Sequence, residues 1–368
     1  MRPRLCYVLP RYDESTDTHY RYLYEMLDDL ARDVDLYVVV EKSWGPVTRP
    51  WPKVRVIRST RAPLRALELA GVLARARLDG YDRFYTDYSY YAGILCGAIA
   101  AATGARSYYW SCGLVGKYLS AWGSPGALRK KLRNDWPLWL SVRLATRLVT
   151  GTPRMIDHYA AHFGLPRTRA VVAPNWVEEP PWVPSRVEAR AALGVPQDAP
   201  VALFVHHLSP RKGANRLPAL AWALAGRVPG LVCLVAGDGP EREAIEAAKA
   251  PLTLLGRVPN RDISRLYAAA DVFLMPSEEE GFPRVLLEAM VHRVPFVATD
   301  VGGVRDVVPD SIAASVVPDG DMTAFVDRAV ERFRDPALRE AHARAWDQVR
   351  GRFSRAAAIA AWRAAVLE

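Results

Sequence analysis

The residues with the clearest chemical potential in this 368-residue chain lie in SEEEGFPRVLLEAM. Seven residues separate Glu280 from Glu288, and Gly281-Phe282-Pro283 open a helix directly after the apolar run VFLMPS. Paired carboxylates accept hydrogen bonds from paired hydroxyls. A glycine at a strand-to-helix turn lets backbone N–H groups approach an anion, and the helix N-terminus adds partial positive charge there. Glu280 is expected at the turn facing a sugar, with Glu288 two helical turns on and able to reach a ribose hydroxyl. The competing use of such a stretch is an acidic helix start that complements its own dipole.

A second group carries the opposite charge. VALFVHHLSPRKGANRL places Arg211, Lys212 and Gly213 after a strand and before a helix, where cations can meet a diphosphate. VAGDGPE puts Gly237, Asp238 and Gly239 in a tight turn after the next strand. Arg257 and Val258 follow Gly256, and Gly302-Gly303 follow PFVATD. Taken singly, each is an ordinary β–α turn or a solvated charge. In series they mark the carboxyl ends of parallel strands, where open α/β sheets bind ligands.

The elements that must position these residues follow from the apolar pattern. LCYVL, LYVVV, VRVI, RFYT, SYYW, LVTGT and AVVAPN alternate with helical stretches, as in a doubly wound parallel sheet. PNWVEEPPWVP then crowds four prolines together, and the alternation restarts at VALFVHH. The expected organisation is a first domain over 1–173, a linker over 174–184, a second α/β domain over 185–350, and a C-terminal helix over 351–368 that crosses back to the first domain.

This sequence resembles the family-4 class of retaining GT-B glycosyltransferases, most closely from about Val171 to Val308 and only in organisation before that. PNWVEE resembles the family's interdomain Pro-Asn-Gly-Val segment, with Trp176 at the glycine position. FVHHLSPRKG resembles its phosphate-gripping loop, and EEEGFPRVLLEAM its paired-glutamate motif. The resemblance implies two Rossmann-like domains facing across a cleft. It also implies that Lys212 holds the donor diphosphate with Arg211, that Glu280 contacts the donor sugar, and that Glu288 contacts the ribose. Backbone amides near Phe282 to Leu287 would meet the phosphates, with Gly281, Pro283, Leu286 and Leu287 among the residues around the donor. Gly237 would border the donor, and Arg257 and Val258 would lie against the base. No metal or other cofactor is expected in this class, because basic residues and the helix dipole supply the charge.

The departures are specific. His206-His207 stand where relatives carry Gly-Arg, so a permanent cation becomes a titratable one. His207 is expected beside the diphosphate with a raised pKa, and donor binding is expected to weaken as pH rises. The family's glycine pair after the first strand is replaced by Pro10-Arg11-Tyr12-Asp13 through Asp17-Thr18-His19, and where many relatives place a first-domain histidine near the donor sugar SYYWSCG offers Ser111 and Cys112, with His19 the nearby histidine; Tyr12, His19 and Ser111 are the acceptor-side candidates.

Lys plus Arg exceed Asp plus Glu by 49 to 40, a formal charge of +9. Nucleotide diphosphates, anionic lipid and nucleic acid all fit that charge, but no basic recognition helix or aromatic RNA platform accompanies it, so no nucleic-acid partner is expected. The stretch 128–147 combines Arg129, Lys130, Lys131, Arg133, Arg143 and Arg147 with Trp136 and Trp139. It fits peripheral contact with an anionic membrane, or equally a helix with a solvated basic face. The N-terminus reads as a first strand, no stretch nears the roughly 18 apolar residues of a spanning helix, and the four cysteines form no close pair. A cytoplasmic chain at the inner membrane face follows as the expectation. The function expected is sugar transfer from a UDP- or GDP-linked donor to a glycan or lipid-linked acceptor, in cell-surface polysaccharide or glycolipid assembly. The alternatives are a silent nucleotide-sugar binder and a phosphorylase or sugar-phosphate synthase on the same fold.

Overall fold

The computed structural model of the chain describes residues 2–16, 20–113 and 131–368. Two compact units emerge: residues 1–173 together with 359–368, and residues 174–358.

The first unit is built on seven parallel strands: β1 (Arg4–Leu9), β2 (Asp35–Val40), β3 (Lys53–Val56), β4 (Arg83–Asp87), β5 (Arg106–Trp110), β6 (Arg147–Thr150) and β7 (Ala170–Val172). They lie in the order β3-β2-β1-β4-β5-β6-β7. The central strands are near-continuous runs of Val, Leu, Tyr and Phe because helices cover both faces of a parallel sheet. One cluster joins Cys6, Val8, Val39 and Phe84 to Leu69, Leu73 and Cys96 on the helices Ala62–Leu78 and Tyr90–Thr103. Cys6, Cys96, Cys112 and Cys233 are free thiols, and all but Cys112 are buried.

The second unit repeats the plan with β8 (Val201–Val205), β9 (Val232–Ala236), β10 (Thr253–Gly256), β11 (Val272–Met275), β12 (Phe296–Asp300) and β13 (Val316–Pro318). Their order is β10-β9-β8-β11-β12-β13, again all parallel. Phe204, Val235, Leu274 and Val297 meet Leu220 and Leu224 of the helix Leu217–Ala225 and Phe325 and Val330 of the helix Met322–Arg334. The strand order reverses between β8 and β11, and that switch point opens a crevice at the strands' carboxyl ends.

Residues 174–184 form neither strand nor helix and group with the second unit. Within it, Val177 N–H donates to Phe353 O at 3.2 Å, and Trp346 Nε1 donates to Glu179 at 2.6 Å. The helix Arg355–Leu367 starts in the second unit and ends in the first. There Trp362 packs on Tyr85 with ring centroids 5.1 Å apart, Arg363 pairs with Asp33 at 2.6 Å, and Arg83 donates to Leu367 O at 3.0 Å.

Candidate active site of the second unit

The chain leaves β8 through His206-His207-Leu208 and makes a short 3-10 turn over Pro210–Lys212. Gly213 then takes φ 70°, and a Cβ built there would stand 2.0 Å from Pro276 O, so only glycine lets this loop lie against the one that leaves β11. The two loops are also tied by backbone: Glu278 and Glu279 N–H both donate to Arg211 O, at 2.9 and 3.0 Å. Gly237, at φ 142°, meets His206 O in the same way, with a Cβ separation of 1.8 Å. Gly303 N–H donates to Glu280 O at 3.2 Å, which brings in the loop after β12.

These contacts place one carboxylate at the centre. Glu280 is buried, with 3% of its surface exposed. Lys212 Nζ lies 2.9 Å from its Oε2, Ser277 Oγ donates to Oε1 at 2.9 Å, and His206 Nε2 stands 3.4 Å from the same Oε1. Burial acts to raise the Glu280 pKa, but the Lys212 charge and the His206 contact outweigh it and hold the carboxyl down at about 2. Lys212 also donates to Glu279 O at 3.2 Å. The result is a buried, permanently ionised acceptor beside a cation at the switch point.

The other sequence-derived residues fall in different places. The Arg211 guanidinium grips Glu279 with two hydrogen bonds, at 2.9 and 2.8 Å, so Lys212 and not Arg211 stands at Glu280. Glu288 is half-buried in the helix Arg284–Val291 and accepts from Tyr267 Oη at 3.3 Å. Leu286 and Leu287 turn their side chains into the core, and the Leu286 amide donates to Pro283 O at 3.1 Å. Phe282 is buried with its ring 5.6 Å from Phe353, beside Gly281 and Pro283 at the helix start. Gly237 N–H donates to Gly256 O at 2.8 Å, with Arg257 exposed and Val258 half-buried just beyond.

The histidine pair differs from expectation. His207 is exposed, and it is His206 that reaches Glu280. Burial, then the Lys212 charge, lower the His206 pKa against the opposing pull of Glu280 and Glu288. The sign at this position is therefore the reverse of a histidine charged by a neighbouring anion. Sequence reasoning singled out His207 from the histidine pair instead of His206 and passed over Ser277, for which the SxxE spacing to Glu280 was the local signal.

On the first unit, Tyr12 is fully buried, donates to Glu14 and packs its ring 4.9 Å from Tyr24, so it braces a loop from the interior. Ser111 follows β5 and shares a 2.6 Å hydrogen bond with Tyr159 Oη. His19, Arg129 and Lys130 lie outside the described residues. The end of β4 carries Asp87, buried, accepting from Tyr7 Oη and pushed up to about 7 by burial against that hydrogen bond. Tyr88 follows at φ 56°, a strained conformation for a bulky residue, with its ring 4.9 Å from Trp110. Among the described residues no cluster of three or more His, Cys, Asp or Glu side chains is arranged to hold a metal ion, and no helix is long and apolar enough to cross a membrane.

Two doubly wound parallel sheets, one with a lysine–glutamate pair at its switch point, define an α/β protein of the GT-B kind. Residues 185–347 match the family of glycosyl transferases group 1. Among curated proteins it is 34% identical over 205 residues to the 2-deoxystreptamine N-acetyl-D-glucosaminyltransferase of Streptomyces fradiae, covering 53% of this chain and 49% of that one. It is 35% identical over 186 residues to the D-inositol 3-phosphate glycosyltransferase of Saccharomonospora viridis, covering 46% and 43%. The chain thus matches about half the length of these relatives. Among solved structures, a sucrose-phosphate synthase from Thermosynechococcus elongatus shares the fold with a TM-score of 0.75 at 21% identity, covering 98% of this chain and 97% of that one. HepE of Anabaena, solved in complex with UDP, does so with a TM-score of 0.74 at 17% identity, covering 98% and 99%.

Proposed function

We propose that the chain is a retaining glycosyltransferase that moves a sugar from a nucleotide diphosphate donor, UDP- or GDP-linked, to a glycan or lipid-linked acceptor in polysaccharide or glycolipid assembly. The reading rests on one observation: Lys212 from the end of β8 and Glu280 from the end of β11 meet at 2.9 Å at the switch point of the second sheet. The family match and the sugar-transferring relatives support it, and HepE, solved with UDP, supports the donor class.

Glu280, ionised at any physiological pH, accepts hydroxyl hydrogens of the donor sugar, and Glu288 those of the ribose. As the glycosidic C–O bond opens, negative charge grows on the β-phosphate oxygen. Lys212 and the first turn of the helix Arg284–Val291 stabilise that charge. The acceptor hydroxyl bonds to the anomeric carbon on the face the diphosphate leaves, and its proton passes to the departing phosphate oxygen. Arg211, bound to Glu279, holds the loop that carries Lys212. No metal ion has a part in this scheme.

The acceptor belongs to the carboxyl ends of the first unit's strands, near Ser111 and Asp87. Leu132, Trp136 and Trp139 are exposed, and the Arg143 guanidinium lies 5.6 Å from the Trp139 ring centroid. Such a surface fits peripheral contact with anionic lipid and a lipid-linked acceptor.

The test is a panel of UDP-, GDP- and ADP-sugars with membrane extract as acceptor source, reading nucleoside diphosphate release and the anomeric configuration of the product. One donor should be turned over with retention, with losses of about a hundredfold or more in Glu280→Ala and Lys212→Ala. Binding without release would make the chain a nucleotide-sugar binder. Release that depends on orthophosphate would make it a phosphorylase.

A further inference from the structure

The first ring atom of His206 to consider is Nδ1, which accepts the His207 backbone N–H at 2.8 Å. A backbone amide can only donate, so this nitrogen carries no proton and the ring's hydrogen sits on Nε2. That nitrogen faces Glu280 Oε1 at 3.4 Å, a long hydrogen bond to a carboxylate whose Oε1 also receives Ser277 and whose Oε2 receives Lys212. Either the other tautomer or the imidazolium would set two N–H groups against each other at Nδ1. The backbone thus dictates the proton's place, and the ring in turn orients the carboxylate.

We propose that His206 is a positioning residue for Glu280, locked by the His207 amide as the neutral Nε2–H tautomer, and that it tunes recognition of the donor's sugar and not of its nucleotide. The proposal rests on the reading that Glu280 meets the donor sugar. Burial is the largest influence on the ring and disfavours its protonation, as does the Lys212 charge, while Glu280 and Glu288 favour it. The pH dependence follows. Protonating the ring therefore takes a lower pH than for an ordinary histidine, and sugar recognition fails on the acid side, when Nδ1 gains a proton and expels the His207 amide.

Two measurements test this. Nitrogen-15 NMR of the histidine rings, assigned by His206→Gln, should show His206 as the Nε2–H tautomer at pH 7; an Nδ1–H ring or an imidazolium at pH 7 overturns the proposal, whatever the protein binds. Binding of a nucleotide sugar and of the bare nucleoside diphosphate is then compared. His206→Ala should weaken the first by roughly tenfold and the second by less than about twofold, with most of the loss restored by Gln, whose amide N–H can replace Nε2–H. The acid-side fall in sugar-nucleotide affinity should be absent from His206→Gln. Equal losses of both ligands, or none, overturn the positioning role. If the wild-type chain binds no nucleotide sugar, the proposed function falls while the NMR result still decides the tautomer.

Discussion

At Glu280 three donors from two loops converge on one buried carboxylate, and the energetics of that convergence are testable without any substrate. Its folded-state pKa, at about 2, lies below the ordinary value of 4.5. A carboxyl depressed on folding adds stability above its unfolded pKa and loses it as pH falls through the folded value. The contribution, on the order of 3 kcal/mol, should therefore be complete at pH 5 and above and vanish towards pH 2. Denaturant melts of wild type and Glu280→Gln between pH 3 and 7 should converge as pH falls; curves that stay parallel would remove Glu280 as the source. The carboxylate and Lys212 were legible in sequence because each sits in a glycine turn after an apolar strand. His206 was not. Two adjacent histidines at a strand end look equivalent, and only the fold decides which of them turns towards a residue some seventy positions away.

Among the elements, the strand–helix alternation of both halves and the glycine turns at strand ends could be read directly, because period and turn chemistry are local. The reversal between β8 and β11 could not, since strand order depends on crossovers that leave no local trace. Nor could β13, whose three residues are too few for an alternating pattern. Buried charge was equally hidden. Arg190, with no exposed surface, donates to Asp271 Oδ2 at 2.8 Å and to Ala269 O at 3.2 Å, while Asp271 also receives the Val201 amide at 2.8 Å at the root of β8. In sequence Arg190 is one basic residue of an Ala/Arg-rich helix. Arg190→Met should leave Asp271 without its buried partner and lower stability by about 3–5 kcal/mol, read as a drop in denaturant midpoint. A change under about 1 kcal/mol would mean that Arg186, 2.6 Å from Asp271 Oδ1, suffices alone.

For the whole molecule, the ten residues from Ile359 onward bind the first unit although the second unit precedes them in sequence. Trp362, Val366 and Ala358 are buried, and Arg363 carries an ion pair to Asp33. Ending the chain after Ala358 should uncover Tyr85 and lower the melting temperature of the first unit, with the second unit's transition preserved. Calorimetry resolves the two cases; a first-unit transition unchanged by the truncation would show that the segment is ornamental to stability.

That shared helix also imposes an order on synthesis. The sheet of the first unit leaves the ribosome early, but the segment that covers Tyr85 arrives only after Pro174–Ala358 has been made, a delay of about 10–40 s at typical rates of about 5–20 residues per second. During that interval the nascent first unit carries an unfilled apolar seat. The chain therefore closes its first-made sheet last, and a chaperone that shields Tyr85 would act on this protein during translation and not after it.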